Sequence, residues 1–172
     1  MNKENKQKSI QGFSLTAKLF HWGFILIFSY GILKQIDNIN QLEDLALLKF
    51  EIIFALLFIL FLIIRFIYMK QTQKSSLPPE TTKFQKVAAK LVHYGMYVTM
   101  ISIALSGLVI GSLYWLGWKS GLLIEIIIVW HESSVSIVYW LIGLHLLGAV
   151  YHWIKNDGVW ESMVPILNRN RK

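Results

Sequence analysis

The chain has 172 residues, 55% of them hydrophobic, with seven Trp, seven Tyr and ten Phe. That balance belongs to a membrane protein and excludes a soluble hydrolase. There is no cysteine, which removes disulfides, iron–sulfur clusters and thiol chemistry. The net charge of +7 comes from basic residues in the connections, where they set membrane topology rather than bind nucleic acid.

The N-terminus is polar and basic and runs into apolar sequence without a small-residue cleavage site, so no cleaved signal peptide is expected. The first apolar segment covers residues 15–36, with Ser14 or Thr16 as its N-cap. The second covers residues 45–69. Ser75-Ser76-Leu77-Pro78-Pro79 then breaks the pattern. Thr81 or Thr82 caps the third segment, residues 87–112. Residues 113–123 are aromatic and broken by glycine, and read as an interfacial loop or short surface helix. The fourth segment covers residues 126–154. Each segment exceeds the ~20 residues a spanning helix needs. Because lipid offers backbone groups no partner, each must be helical. The predicted fold is all-α: a transmembrane four-helix bundle forming a single domain over residues 1–172.

Charge orients it. Lys3, Lys6, Lys8 and Lys18 precede the first helix. Arg65, Lys70, Lys74, Lys83, Lys86 and Lys90 surround the second connection. Lys155, Arg169, Arg171 and Lys172 follow the fourth helix. The other two connections hold only Lys34, Lys49 and Lys119. Fourteen basic residues against three predict both termini on the cytoplasmic side of the membrane.

Three of the five histidines, His131, His145 and His152, share the fourth helix at spacings of fourteen and seven residues. At ~100° per residue these spacings bring all three to nearly one face. His131 and His145 are separated by roughly 21 Å of helix rise, most of a bilayer's hydrocarbon thickness. Polar groups at that depth face the bundle interior and carry function or a hydrogen-bonded structural role. His21, two turns into the first helix, reaches the depth of His145. Two neutral imidazoles from facing helices suit axial ligation of a haem iron, which gives each lone pair a partner. Small residues suit a flat macrocycle or close helix packing: Gly23, Gly31, Ala104, Gly107, Gly111, Gly143 and Gly148. Arg65 closes the second helix on the inner side, either as a partner for a haem propionate or as an interfacial cation. His93 and His152 lie near the inner interface. With Tyr94 they are candidates to bind a quinone head group or relay its protons. No trio of close ligands on one helix suits zinc.

These residues resemble the prokaryotic cytochrome b561 family, related to the cytochrome b subunits of hydrogenases and formate dehydrogenases. The resemblance runs from about Leu15 to Pro165. It is carried by Leu19-Phe20-His21-Trp22, by His93-Tyr94-Gly95-Met96-Tyr97 and by Ala104-Leu105-Ser106-Gly107. It continues in Trp130-His131-Glu132, Gly143-Leu144-His145, His152 and Lys155-Asn156-Asp157-Gly158-Val159-Trp160. It implies haem b in the core, with His21 and His145 as ligands of an inner haem and His131 as a ligand of an outer one. The usual partner of His131 is a histidine fourteen residues before an arginine that matches Arg65, hence at position 51. This chain has Glu51, and no histidine anywhere in its second helix. Three alternatives stand for the outer site. The haem is absent, or it is five-coordinate on His131 alone, or Glu51 and His131 form a hydrogen-bonded pair in its place.

The implied function is membrane electron transfer between haem and a quinone, in one variant as a superoxide:quinone oxidoreductase. Two rivals remain. One is an anchoring subunit that docks a partner dehydrogenase or c-type cytochrome. The other is a non-redox proton path through His131, Glu51 and Glu132. Expected partners are membrane lipid, a quinone, a redox protein and a second copy in a homodimer.

Overall fold

The computed structural model of the chain describes residues 12–73 and 77–164. Its long elements are α1 (Leu15–Leu33), α2 (Leu45–Thr72), α3 (Lys83–Trp115) and α4 (Leu122–Lys155). A 3-10 helix (Ile39–Glu43) joins α1 to α2, and a short α5 (Val159–Met163) follows α4. All four long helices are long and apolar enough to cross a membrane, and no strand occurs among the described residues. The all-α four-helix expectation holds.

The helix ends differ from the apolar pattern for local reasons. Ser14, rather than Thr16, caps α1 by accepting from the Ala17 amide at 3.2 Å. α1 stops at Leu33, short of residue 36. Ile36 and Ile39 belong to the connection and fold back onto an apolar cluster, so their hydrophobicity reports packing rather than helix. Asp44 opens α2, its carboxylate accepting from Ala46 and Leu47 amides. α2 runs past residue 69 to Thr72, because Lys70 and Gln71 are good helix formers. α3 starts at Lys83, where Thr82 and Gln85 form a capping box one turn ahead of the apolar stretch. Within residues 113–123 the interfacial loop is confined to residues 116–121, and no separate surface helix forms there. α3 continues through Trp115 and α4 begins at Leu122. Gly117 (φ 83°) and Gly121 (φ 108°) take the reversal between them, at angles that side chains with a Cβ resist. Of the breaker before α3, Ser75 and Ser76 lie outside the described residues, as do Lys3, Lys6, Lys8, Lys74, Pro165, Arg169, Arg171 and Lys172. Its Pro78 carbonyl closes a turn by accepting from the Thr81 amide at 3.0 Å.

α3 packs most closely on α4, then on α2, while α1 packs along α2. Phenylalanines fill the α1–α2 seam, with Phe24 and Phe58 ring centres 5.3 Å apart. Mid-bundle, Phe24, Phe58, Leu62, Met100, Ala104 and Val138 form one buried core. A second cluster of Leu42, Leu48, Ile110, Tyr114 and Ile124 closes the end that carries the α1–α2 and α3–α4 connections. Here α2 approaches α3 at Gly111, where an added Cβ would lie 2.8 Å from Ile52 Cγ1. The outward faces stay apolar: Leu26 is 72% exposed and Trp140 77%. That is a surface for lipid rather than water.

The opposite end gathers both chain ends and the α2–α3 connection. The Ser14 amide donates to Gln73 Oε1 and its hydroxyl meets Tyr68 Oη at 3.1 Å. α5 folds under α1: Phe13 N donates to the Ser162 carbonyl and Trp22 Nε1 to that of Met163. We call this the termini end, and its opposite the loop end.

Candidate functional site

Each long helix brings one chemically active side chain to a similar depth near the termini end. His21 lies six residues into α1 and Arg65 seven residues before the end of α2. His93 and His145 each lie ten residues inside α3 and α4. At ~1.5 Å per residue all four fall within one band of the bundle. The two sequence-predicted inner ligands face each other. The His21 and His145 rings are 6.3 Å apart, centre to centre, at 61°, and both are half-buried. Imidazole nitrogens bond first-row transition metals at about 2.0–2.1 Å, so two imidazoles on opposite sides of one ion hold their ring centres roughly 6 Å apart. The observed separation fits that requirement. α1 and α4 are not close-packed backbone neighbours, so the histidines meet across a gap rather than across a helix seam.

Arg65 stands beside this pair. Its Nη2 is 3.0 Å from His21 Nδ1. Its guanidinium carbon is 5.0 Å from the ring centre of Phe24 and 5.3 Å from that of Tyr97. Its Nε is buried without a hydrogen-bond partner. The ion pairs among the described residues are Lys119–Glu43, His152–Asp157 and Lys155–Asp157, so Arg65 has no carboxylate. A half-buried guanidinium between aromatic faces with an orphan N–H is a receptor for an anion, best a planar one that its fork can grip. A haem propionate has that chemistry. His21, His145 and Arg65 therefore fit haem b.

Of the quinone candidates, His93 joins the cluster. Its ring centre lies 5.0 Å from that of His145. His93 Nδ1 is 2.6 Å from the Ala89 carbonyl oxygen. A carbonyl only accepts, so Nδ1 carries the proton and Nε2 keeps its lone pair. Tyr94, 53% exposed, turns toward α2, its ring 6.3 Å from Phe66. His152 is not brought to these two by any contact. It donates from Nδ1 to Asp157 Oδ2 at 2.7 Å, and Asp157 Oδ1 accepts from the Val159 amide that opens α5.

His131 sits apart, toward the loop end, and its partner is Ser106 rather than Glu51. Ser106 Oγ is 2.9 Å from His131 Nδ1. The same oxygen donates to the Ser102 carbonyl at 2.7 Å, so His131 is the donor to it. Ser102 Oγ in turn meets Ser134 Oγ at 3.0 Å and accepts from Trp130 Nε1 at 2.8 Å. Gly107 gives the ring room, an added Cβ falling 3.5 Å from His131 Cε1. This serine network was not singled out from the sequence. Its signal is the one-turn spacing of Ser102 and Ser106 on the α3 stripe that also holds Gly107. Asp157 was also missed as a partner of His152, although Asn156-Asp157-Gly158 marks the turn that returns it to α4.

The family profile described as prokaryotic cytochrome b561 matches residues 12–165. No curated protein and no solved structure matches the chain. A profile match over nearly the whole chain, four membrane-spanning helices and a facing histidine pair beside an unpaired arginine agree: the chain belongs to the prokaryotic cytochrome b561 family and is a membrane b-type haem electron-transfer protein.

Proposed function

We propose that the protein binds one haem b between His21 and His145 and exchanges electrons with a quinone at the termini end, on the cytoplasmic side of a bacterial inner membrane. The observation that carries this is the 6.3 Å histidine pair flanked by Arg65. Haem, when bound, supplies one-electron chemistry; the protein supplies ligands, charge balance and proton handling. His21 and His145 ligate, and Arg65 takes a propionate.

One haem rather than two is supported by the loop end. Glu51 occupies the position where the family's second ligand is expected, and α2 holds no histidine to stand opposite His131. Leu48, Ile110, Tyr114 and Ile124 from α2, α3 and α4 pack together at that end. The transmembrane electron wire of a two-haem protein is then absent, and exchange stays on one side.

His93 serves the quinone. Its Nε2 lone pair accepts a proton from a quinol hydroxyl, and the protonated ring returns it to a reduced quinone. Its contact with His145 keeps the head group beside the haem ligand. Tyr94 turns toward α2 instead and is left out of this role. The His152–Asp157 pair, out of contact with His93, ties the end of α4 to α5. Superoxide is the electron source in one variant of this scheme, since a small diffusible donor asks for no docked protein. A homodimer or a docked redox subunit is an addition to this scheme, not a requirement.

The test is quinol-driven haem reduction in liposomes. His93→Gln is expected to keep its haem and to slow that reduction by about tenfold or more, the usual worth of a positioned acid–base group being ~10²–10⁴-fold. An unchanged rate at unchanged haem content would remove His93, and with it the quinone site proposed here.

A further inference from the structure

Arg65 does something to His21 that haem ligation must undo. Guanidinium nitrogens have protons to give and no lone pair to receive with. At 3.0 Å from Arg65 Nη2, His21 Nδ1 is therefore the acceptor. A neutral imidazole that accepts at Nδ1 carries its proton on Nε2. Neither nitrogen is then a ligand: Nδ1 is occupied and Nε2 has no lone pair. Ligating histidines show the reverse pattern, with the far nitrogen protonated and donating to a carbonyl, carboxylate or water. His93 has that pattern on Ala89; His21 does not.

The contact leaves Arg65 incomplete. Its cation sits between Phe24 and Tyr97, its Nε has no partner, and no carboxylate among the described residues reaches it. An imidazole nitrogen meets one of its donors; a carboxylate meets two at once and adds charge. A propionate therefore outcompetes His21 for the arginine.

We infer that Arg65 is a propionate-operated latch that withholds His21 from the iron until a haem carboxylate takes the guanidinium. On release, His21 gains a proton at Nδ1 and loses the one at Nε2. It stays neutral, and its Nε2 lone pair turns available. The inference rests on the haem reading above. It makes Arg65 a positioning and specificity residue, one that couples six-coordination to the presence of propionates and so selects against porphyrins that lack them.

The experiment titrates the full-length protein, produced without haem and held in detergent, with haem b and with its dimethyl ester. Haem b is expected to give a six-coordinate low-spin spectrum. The ester is expected to give a high-spin spectrum and to bind roughly tenfold to a hundredfold more weakly, the worth of one or two charge-assisted hydrogen bonds. Arg65→Met is expected to abolish the difference, both porphyrins giving the low-spin form. Equal affinity and equal low-spin spectra for the two porphyrins in the unmodified protein overturn the latch, with no variant needed. Discrimination that survives in Arg65→Met overturns the assignment to Arg65. Refusal of haem b by the unmodified protein overturns the latch together with the reading it rests on.

Discussion

His145→Ala is expected to yield a folded membrane protein that has lost its haem. His145 is the centre of the cluster: His21 lies on one side at 6.3 Å and His93 on another at 5.0 Å. With it removed, α4 offers no imidazole at that depth, since His131 is about 21 Å away along the helix and tied to Ser106. His152 is tied to Asp157. The loss should exceed the roughly 10–100-fold in affinity that follows removal of a mere supporting partner of a metal ligand. The fold should survive, because the backbone bonds of α4 lie within the helix and its close packing runs along α3. Haem absorbance per protein after purification, with far-ultraviolet circular dichroism as the folding control, checks both halves.

Gly111→Val should be the most destabilising single change at the loop end. A Cβ there falls 2.8 Å from Ile52 Cγ1, 3.4 Å from its Cδ1 and 3.7 Å from Leu48 Cδ1. Leu48 is 2% exposed and Ile52 packs on the same cluster, so neither can simply swing out. Valine adds two further methyls to that clash. Overpacking of this kind costs typically 1–3 kcal/mol, and here α2 has to shift away from α3. Gly107→Ala, four residues earlier, meets only His131 at 3.5 Å, an ordinary contact, and should cost little. The midpoint of unfolding in mixed micelles, compared for the two variants, reads the difference. Equal midpoints would mean that α2 and α3 are not held together at Gly111.

The pair Gly107 and Gly111 shows where sequence reasoning stops. Their spacing marks a close approach but not what approaches. In the structure one faces a histidine of α4 and the other an isoleucine of α2. Helix number and the His21–His145 pairing were legible, because lipid forces helices and because helical rise converts sequence spacing into depth. The ends were less so. Ile36 is apolar without being helical, and Leu113 to Trp115 are helical although glycines follow them at once. Hydrophobicity records burial and lipid contact, whereas helix ends are set by caps and by positive φ. Partner choice was the least legible. The sequence offered Glu51 to His131, and only the α3–α4 packing brings Ser106 to it instead. Arg65 was read as an interfacial cation or a propionate partner, and its hold on His21 depends on side-chain geometry that no spacing rule contains.

The most direct test of the central claim is the number of haems per chain in the purified protein, by pyridine haemochrome against a protein assay, with a reduced-minus-oxidised spectrum of the same sample. One low-spin haem per chain is the predicted result. Two haems per chain would contradict it, because no second histidine stands opposite His131.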